Sequence, residues 1–109
     1  MGIISCIKHG VCGLTPSVSV DICNDLLNGG SGGIRDIYLV IVRVFDGEEH
    51  LYDQVNYISC ELVDLHKLNR VYEIHNEAEE ARINSFFPKT SVVCGKCFEE
   101  YIKGKNLIR

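Results

Sequence analysis

The chain has 109 residues, 46% hydrophobic and 24% charged, with a formal net charge of −4. This length predicts one domain over residues 1–109, and the hydrophobic content excludes intrinsic disorder, while the negative charge disfavours nucleic-acid binding. Because no apolar run reaches the roughly 18 residues that span a bilayer, and no signal peptide is recognisable at the start, we expect a cytoplasmic protein without membrane contact.

The first predicted element is a turn that carries two metal-ligand side chains. Cys6 and His9 are separated by two residues, and Gly10 follows directly. This spacing allows a thiolate and an imidazole to occupy two tetrahedral positions on one Zn²⁺ ion, and glycine permits the backbone of a tight turn. Cys12 is spaced so that it can replace His9 as a ligand.

A helix over residues 16–28 is predicted next. Thr15 is typical of an N-cap, and Pro16 suits the first helical position. Apolar residues follow at helical spacing, namely Val18, Ile22 and Leu26. The glycine-rich segment 28–33 ends this helix and precedes a strand, which is the reverse of the order in phosphate-binding loops. We therefore expect no phosphate site there.

A β-hairpin forms the predicted centre of the domain. Residues 37–45 are dense in β-branched and aromatic side chains, which indicates a buried strand. The dipeptide Asp46-Gly47 is a hairpin turn, and residues 51–58 form the partner strand. Asp53 interrupts the apolar alternation of this second strand, which is typical of a strand nearer an edge.

The second half of the chain predicts alternating helices and short strands. The elements are a helix from Ser59, a strand or helical extension over 71–74, a helix from Asn76 to Phe87, a strand over 90–93 and a final helix over 98–103. Pro88 ends the longest of these helices. The predicted fold class is therefore α+β, with a small antiparallel sheet on the central hairpin and two to four helices.

A second close pair of ligands lies at the end of the last predicted strand. Cys94 and Cys97 have the C-x2-C spacing of a zinc knuckle. Together with Cys6 and His9 they make a closed set of four ligands. We therefore predict a structural Zn²⁺ ion in a zinc-knuckle or treble-clef-like site that joins the two termini. The remaining cysteines and histidines are predicted to be core thiols (Cys23 and Cys60) and surface groups (His50, His66 and His75).

These two motifs resemble those of small uncharacterised bacterial zinc-ribbon-like proteins. Such proteins open with a Cys-Pro-x-His-Gly knuckle and close with Cys-x2-Cys and an aromatic residue. Here Ile7 replaces the proline, and Phe98 replaces the usual tryptophan. The resemblance implies a zinc-binding α+β domain, and no particular activity follows from it. Proteins of this kind look like companions of larger bacterial systems, such as immunity proteins that neutralise a toxin.

The first hypothesis for function is a non-enzymatic module that binds another protein, with the acidic runs 46–49 and 77–80 as the contact surface. An alternative is thiol–disulfide chemistry at Cys94 and Cys97. Another is a zinc-ribbon nucleic-acid binder that uses Lys8, Lys96, Lys103 and Lys105. A hydrolase is disfavoured because catalytic zinc needs an open coordination position.

Overall fold

The computed structural model describes residues 3–6, 10–29 and 33–108, with the backbone alone for residues 3–6, 11 and 12. Four helices and seven strands lie within these ranges, which confirms the α+β class and the predicted number of helices. In chain order they are β1 (Ile3–Cys6), β2 (Gly10–Ser19), α1 (Val20–Leu27), β3 (Asp36–Asp46), β4 (Glu49–Ser59), α2 (Cys60–His66), β5 (Val71–Ile74), α3 (Glu77–Phe86), β6 (Thr90–Cys94), α4 (Gly95–Ile102) and β7 (Asn106–Ile108).

The sheet is larger than predicted, and it is mixed rather than antiparallel. Six strands form it: β6, β2, β4 and β3 are successive neighbours, and both β5 and β7 pair with β3. The pairs β2–β4, β3–β5 and β3–β7 are parallel, whereas the hairpin β3–β4 is antiparallel as expected. β1 adds a further antiparallel pair to the first residues of β2.

Helices cover the two faces of the sheet, because β3 is apolar on both sides. On one face, Ile37 packs in a cluster with residues of β2, α1, β6 and α4, namely Val18, Ile22, Cys23, Val93 and Phe98. On the other face, Val40 and Ile58 pack against Val63 of α2 and Leu68. Alternate side chains of a strand point to opposite faces, so one strand serves both clusters.

The prediction that a helix begins at residue 16 is wrong. Residues 10–19 continue as β2, and α1 begins only at Val20, with Ser19 as the N-cap residue. Val18 lies opposite Ser91 of β6 and Tyr57 of β4, so tertiary pairing overrides the local helix signal of Thr15 and Pro16. The helix that remains is eight residues long.

A buried polar junction connects the starts of α1 and α2. Asp21 accepts hydrogen bonds from the Ser19 hydroxyl at 2.6 Å, from the Ile22 amide at 2.9 Å and from the Ser59 hydroxyl. Both serines are fully buried, and Ser59 also caps α2 by accepting from the Leu62 amide. The predicted helix start at Ser59 is thus confirmed. The junction also holds together the ends of β2 and β4 that lead into α1 and α2. We call the corresponding end of the β3–β4 hairpin its lower end and the end with the turn its upper end.

Candidate functional site

The two predicted ligand motifs lie on strands that share one neighbour. β1, which ends at Cys6, pairs with the beginning of β2, and Cys6 lies opposite Gly10 in this hairpin. β6, which ends at Cys94, pairs with the later part of β2, where Cys94 lies opposite Leu14. β1 and β6 also lie against each other. The backbone therefore brings the strands that end at Cys6 and Cys94 to the same neighbour, β2.

Cys94 and Cys97 lie where β6 passes into α4. Cys94 is the residue that precedes the helix and is buried, whereas Cys97 lies in the first turn and is half-buried. The helix begins at Gly95, three residues before the predicted start, so both cysteines are at its positive end. The amide groups and dipole at a helix N-terminus favour negatively charged groups, which suits two thiolates.

Gly95 allows this turn to pack tightly on β2. A Cβ atom at this position would lie 3.1 Å from the carbonyl oxygen of Gly13 and 3.5 Å from the hydroxyl of Thr15. Gly13 is itself paired with Ile3 of β1, so this part of β2 is held from its other partner as well. The glycine between the two cysteines therefore allows a close approach of two backbones that a larger residue would hinder.

The side chains of Cys6 and Cys12, and the whole of His9, lie outside the described residues. The strand register still shows how far the backbone positions of these residues lie from Cys94 along β2. Gly10, the partner of Cys6, is four residues from Leu14, or about 13 Å along β2, whereas Cys12 is only two residues from Leu14, or about 7 Å. Within the part of the chain that is described, no group of three or more His, Cys, Asp and Glu side chains is arranged to hold a metal.

The two cysteines predicted as core thiols have different environments. Cys23 is buried, and its thiol donates to the Val18 carbonyl oxygen at 3.5 Å. Burial, followed by the nearby Asp21 carboxylate, raises the pKa of Cys23, so this thiol is unreactive. Cys60 is only half-buried and points towards Asp64 at 3.8 Å. Desolvation and then the Asp64 charge raise its pKa too.

One further zinc motif is present in the sequence but is not assembled by the fold. His75 and Glu77, followed by Cys94 and Cys97, have the H-x-E and C-x2-C spacings of zinc-dependent nucleobase deaminases. All four residues are described, and they do not form a metal-holding group. His75 follows β5 at one side of the sheet, and β3, β4 and β2 separate β5 from β6. The spacing therefore does not indicate a deaminase site.

The two acidic runs named in the sequence analysis, residues 46–49 and 77–80, lie close together in the structure. The His75 ring contacts the Gly47 carbonyl oxygen at 3.1 Å, so the turn of the β3–β4 hairpin touches the residue that leads into α3. Runs 46–49 and 77–80 consequently lie at the same end of the molecule, and all their acidic side chains except that of Glu79 are exposed. Glu79 accepts from the His75 amide at 2.9 Å.

The lysines proposed for nucleic-acid contact do not act as one exposed group. Lys105 lies over the Tyr101 ring at 4.4 Å and donates to the Ile34 carbonyl oxygen, which holds it against the core. Lys96 and Lys103 are exposed, and Lys8 lies outside the described residues.

Comparisons with known proteins identify no relative. No family model matches the chain, and neither a curated protein nor a solved structure matches it. None of the described helices is long and apolar enough to cross a membrane.

Proposed function

We propose that this chain is a small non-enzymatic domain that holds one structural Zn²⁺ ion and acts by binding another protein. The main support is the shared strand: β1 and β6, which end at Cys6 and Cys94, both pair with β2. A metal ion between the two motifs would close a long loop of chain and restrain both termini.

The donor set is chemically suited to zinc. Cys94 and Cys97 at the start of α4 provide two thiolates where the helix dipole favours negative charge. Cys6 and His9 complete a Cys3His set, which is typical of structural zinc. The register of β2 also makes Cys12 a candidate ligand in place of Cys6 or His9. The backbone of Cys12 lies nearer to Leu14, which is the strand partner of Cys94.

A binding role agrees better with these features than catalysis or redox exchange. Four protein ligands leave zinc no open position for water or substrate. Cys94, the first thiol of the pair, is 6% exposed, and thiol–disulfide exchange requires access to the attacking sulfur. The joined acidic runs at the hairpin end offer a surface of one charge sign, which favours a basic protein partner.

Metal content of the full chain, purified without added metal, tests the zinc site. We expect one zinc per chain, and its loss in the Cys94→Ser, Cys97→Ser, Cys6→Ser and His9→Ala variants. Cys60→Ser and His66→Ala are matched controls that should retain it, because both residues lie on α2. Absence of zinc in the unmodified chain, or its retention after loss of both Cys94 and Cys97, would overturn the proposal.

The Cys12→Ser variant identifies the N-terminal ligands. Retained zinc in this variant, together with its loss in His9→Ala, supports the set Cys6, His9, Cys94 and Cys97. The opposite result assigns Cys12 in place of His9. Thiol titration separates the redox alternative: thiols shielded until a chelator is added support zinc, whereas a freely reacting pair with a defined reduction potential supports exchange.

A further inference from the structure

The edge of β4 that faces β2 has few strand partners along most of its length. β3 pairs with β4 along the whole hairpin, but on the other side the described residues of β2 pair with β4 only where Val18 lies opposite Tyr57. β2 contains Pro16, which has no amide hydrogen to donate, and Ser17, whose φ is +60°. These residues interrupt β2, so among the described residues β4 has no second paired strand over residues 49–56. Gln54 still contacts this part of β2 through its side chain, which donates to the Ser17 hydroxyl at 3.1 Å.

This edge is apolar as well as open. Leu51, Tyr52 and Val55 are 53%, 56% and 39% exposed. A cleft of about 420 Å³ lies between this part of β4 and residues 14–17 of β2. An edge strand with free amide and carbonyl groups and exposed apolar side chains is a template for the addition of another strand.

Two rows of side chains cross the sheet and end at this edge. In the first row, Glu73 of β5, Arg43 of β3 and Asp53 of β4 are opposite one another, so the charges alternate. In the next row on the same face, Val71, Ile41 and Val55 are opposite one another. Cross-strand neighbours stabilise a sheet when they have opposite charge or are both apolar.

We infer that the β4 edge binds an extended segment of a partner protein, with a Lys or Arg opposite Asp53 and an apolar residue opposite Val55. The inference rests on the proposed protein-binding function and specifies its surface and partner chemistry. The added strand would continue both rows: a positive charge after Asp53 and an apolar side chain after Val55.

The acidic charge of the edge favours such a partner over a second copy of this chain. Self-pairing would bring Glu48, Glu49 and Asp53 of both copies into one interface, and like charges opposite each other destabilise strand pairs. A basic strand meets the same residues with opposite charge. Runs 46–49 and 77–80 lie at the same end and extend the acidic field.

The test is an NMR titration of the ¹⁵N-labelled full chain with the peptide acetyl-Thr-Val-Thr-Lys-Thr-Val-Thr-amide. Valine on both sides of lysine suits either strand direction. We expect saturable shifts of the amide signals of residues 49–56. A peptide with glutamate in place of lysine should bind about tenfold more weakly, which corresponds to about 1.4 kcal/mol.

Charge reversal on the protein supplies the matched variants. Asp53→Lys should reverse the preference between the two peptides, while Glu61→Lys, an equal charge change on α2, should leave it unaltered. Absence of shifts at millimolar peptide, shifts confined to other strands, or an unchanged preference in Asp53→Lys would overturn the inference. A dimer mass by sedimentation, with the same amide signals broadened, would assign the edge to a second copy and also overturn it.

The outcome is separable from that of the zinc proposal. A chain that contains no zinc but binds the lysine peptide at β4 refutes the metal site and supports the edge. If the chain contains zinc but its β4 amide signals do not shift with the peptide, the proposed β4 binding edge is refuted and the metal site is supported.

Discussion

The two ends of the β3–β4 hairpin both contain large apolar residues but have opposite environments. At the lower end, Ile37 and Ile58 are fully buried between helices on both faces of the sheet. At the upper end, all β4 residues from Glu49 to Val55 are exposed, although Leu51, Tyr52 and Val55 are as apolar as many core residues. Hydrophobic content therefore does not decide burial within this hairpin.

The difference comes from the neighbours that each end receives. At the lower end, the junction of Ser19, Asp21 and Ser59 holds β2 beside β4, and α1 and α4 pack on the sheet. At the upper end, β2 is interrupted at Pro16 and Ser17, and its described residues form a ladder pair with β4 only at Val18 and Tyr57. The lower end is thus specified by packing, whereas the upper end is left exposed.

The largest difference in stability between the two ends is expected when a large side chain is removed from the lower end. Phe98 is 3% exposed and meets the Tyr57 ring edge-on at 4.9 Å between centroids. Phe98→Ala should lower the free energy of unfolding by about 3–5 kcal/mol, because it leaves a cavity in the core. Leu51→Ala is the matched truncation at the upper end and should cost less than about 0.5 kcal/mol. Urea denaturation of both variants measures the contrast, and equal losses would contradict it.

A smaller effect is expected where α4 meets β2. Gly95→Ala places a Cβ atom 3.1 Å from the Gly13 carbonyl oxygen, and β2 is held there by its pairing with β1 and β6. We expect a loss of about 1 kcal/mol, within the usual range for a point substitution. Gly104→Ala, which meets no atom within 4 Å, should not destabilise the chain. If the midpoints of urea denaturation rise equally in both variants, α4 is not held tightly on β2.

Local patterns in the sequence predict most of the lower and central hairpin. The density of β-branched residues over 37–45, the Asp46-Gly47 turn and the helix starts at Ser59 and Asn76 all depend on neighbouring residues, and all are confirmed. The expectation that the interruption at Asp53 marks a strand nearer an edge is wrong, because β4 lies inside the sheet between β2 and β3.

Features that depend on distant residues are not predictable in this way. The helix signal at Thr15 is overridden by pairing of β2 with β6, more than 70 residues away in sequence. β7 pairs with β3, about 70 residues earlier in the sequence, and the Asn106 side chain donates to the Asp36 carboxylate at 2.8 Å. The spacing of Cys94 and Cys97 is visible in the sequence, whereas the open β4 edge arises from Pro16 and Ser17 in another strand.

The smallest expected effect concerns the pH dependence of the upper end. The His75 ring contacts the Gly47 carbonyl oxygen at 3.1 Å and the Glu73 carboxylate at 3.2 Å, and it stacks on Phe45 at 4.5 Å between centroids. The backbone contact with Gly47, followed by that with Glu73, raises the pKa of His75. Protonated imidazole can donate to both oxygens at once, so the folded state favours the charged ring.

A group with a raised pKa in the folded state stabilises the fold fully below its unfolded value, about 6.5 for histidine, and this stabilisation is lost as the pH rises through the folded value. His75→Gln should therefore lower the urea midpoint more at pH 5.5 than at pH 9. Since His75 pins the hairpin turn to the start of α3, a pH-independent loss would show that stacking on Phe45, rather than the charged contacts, holds the upper end in place.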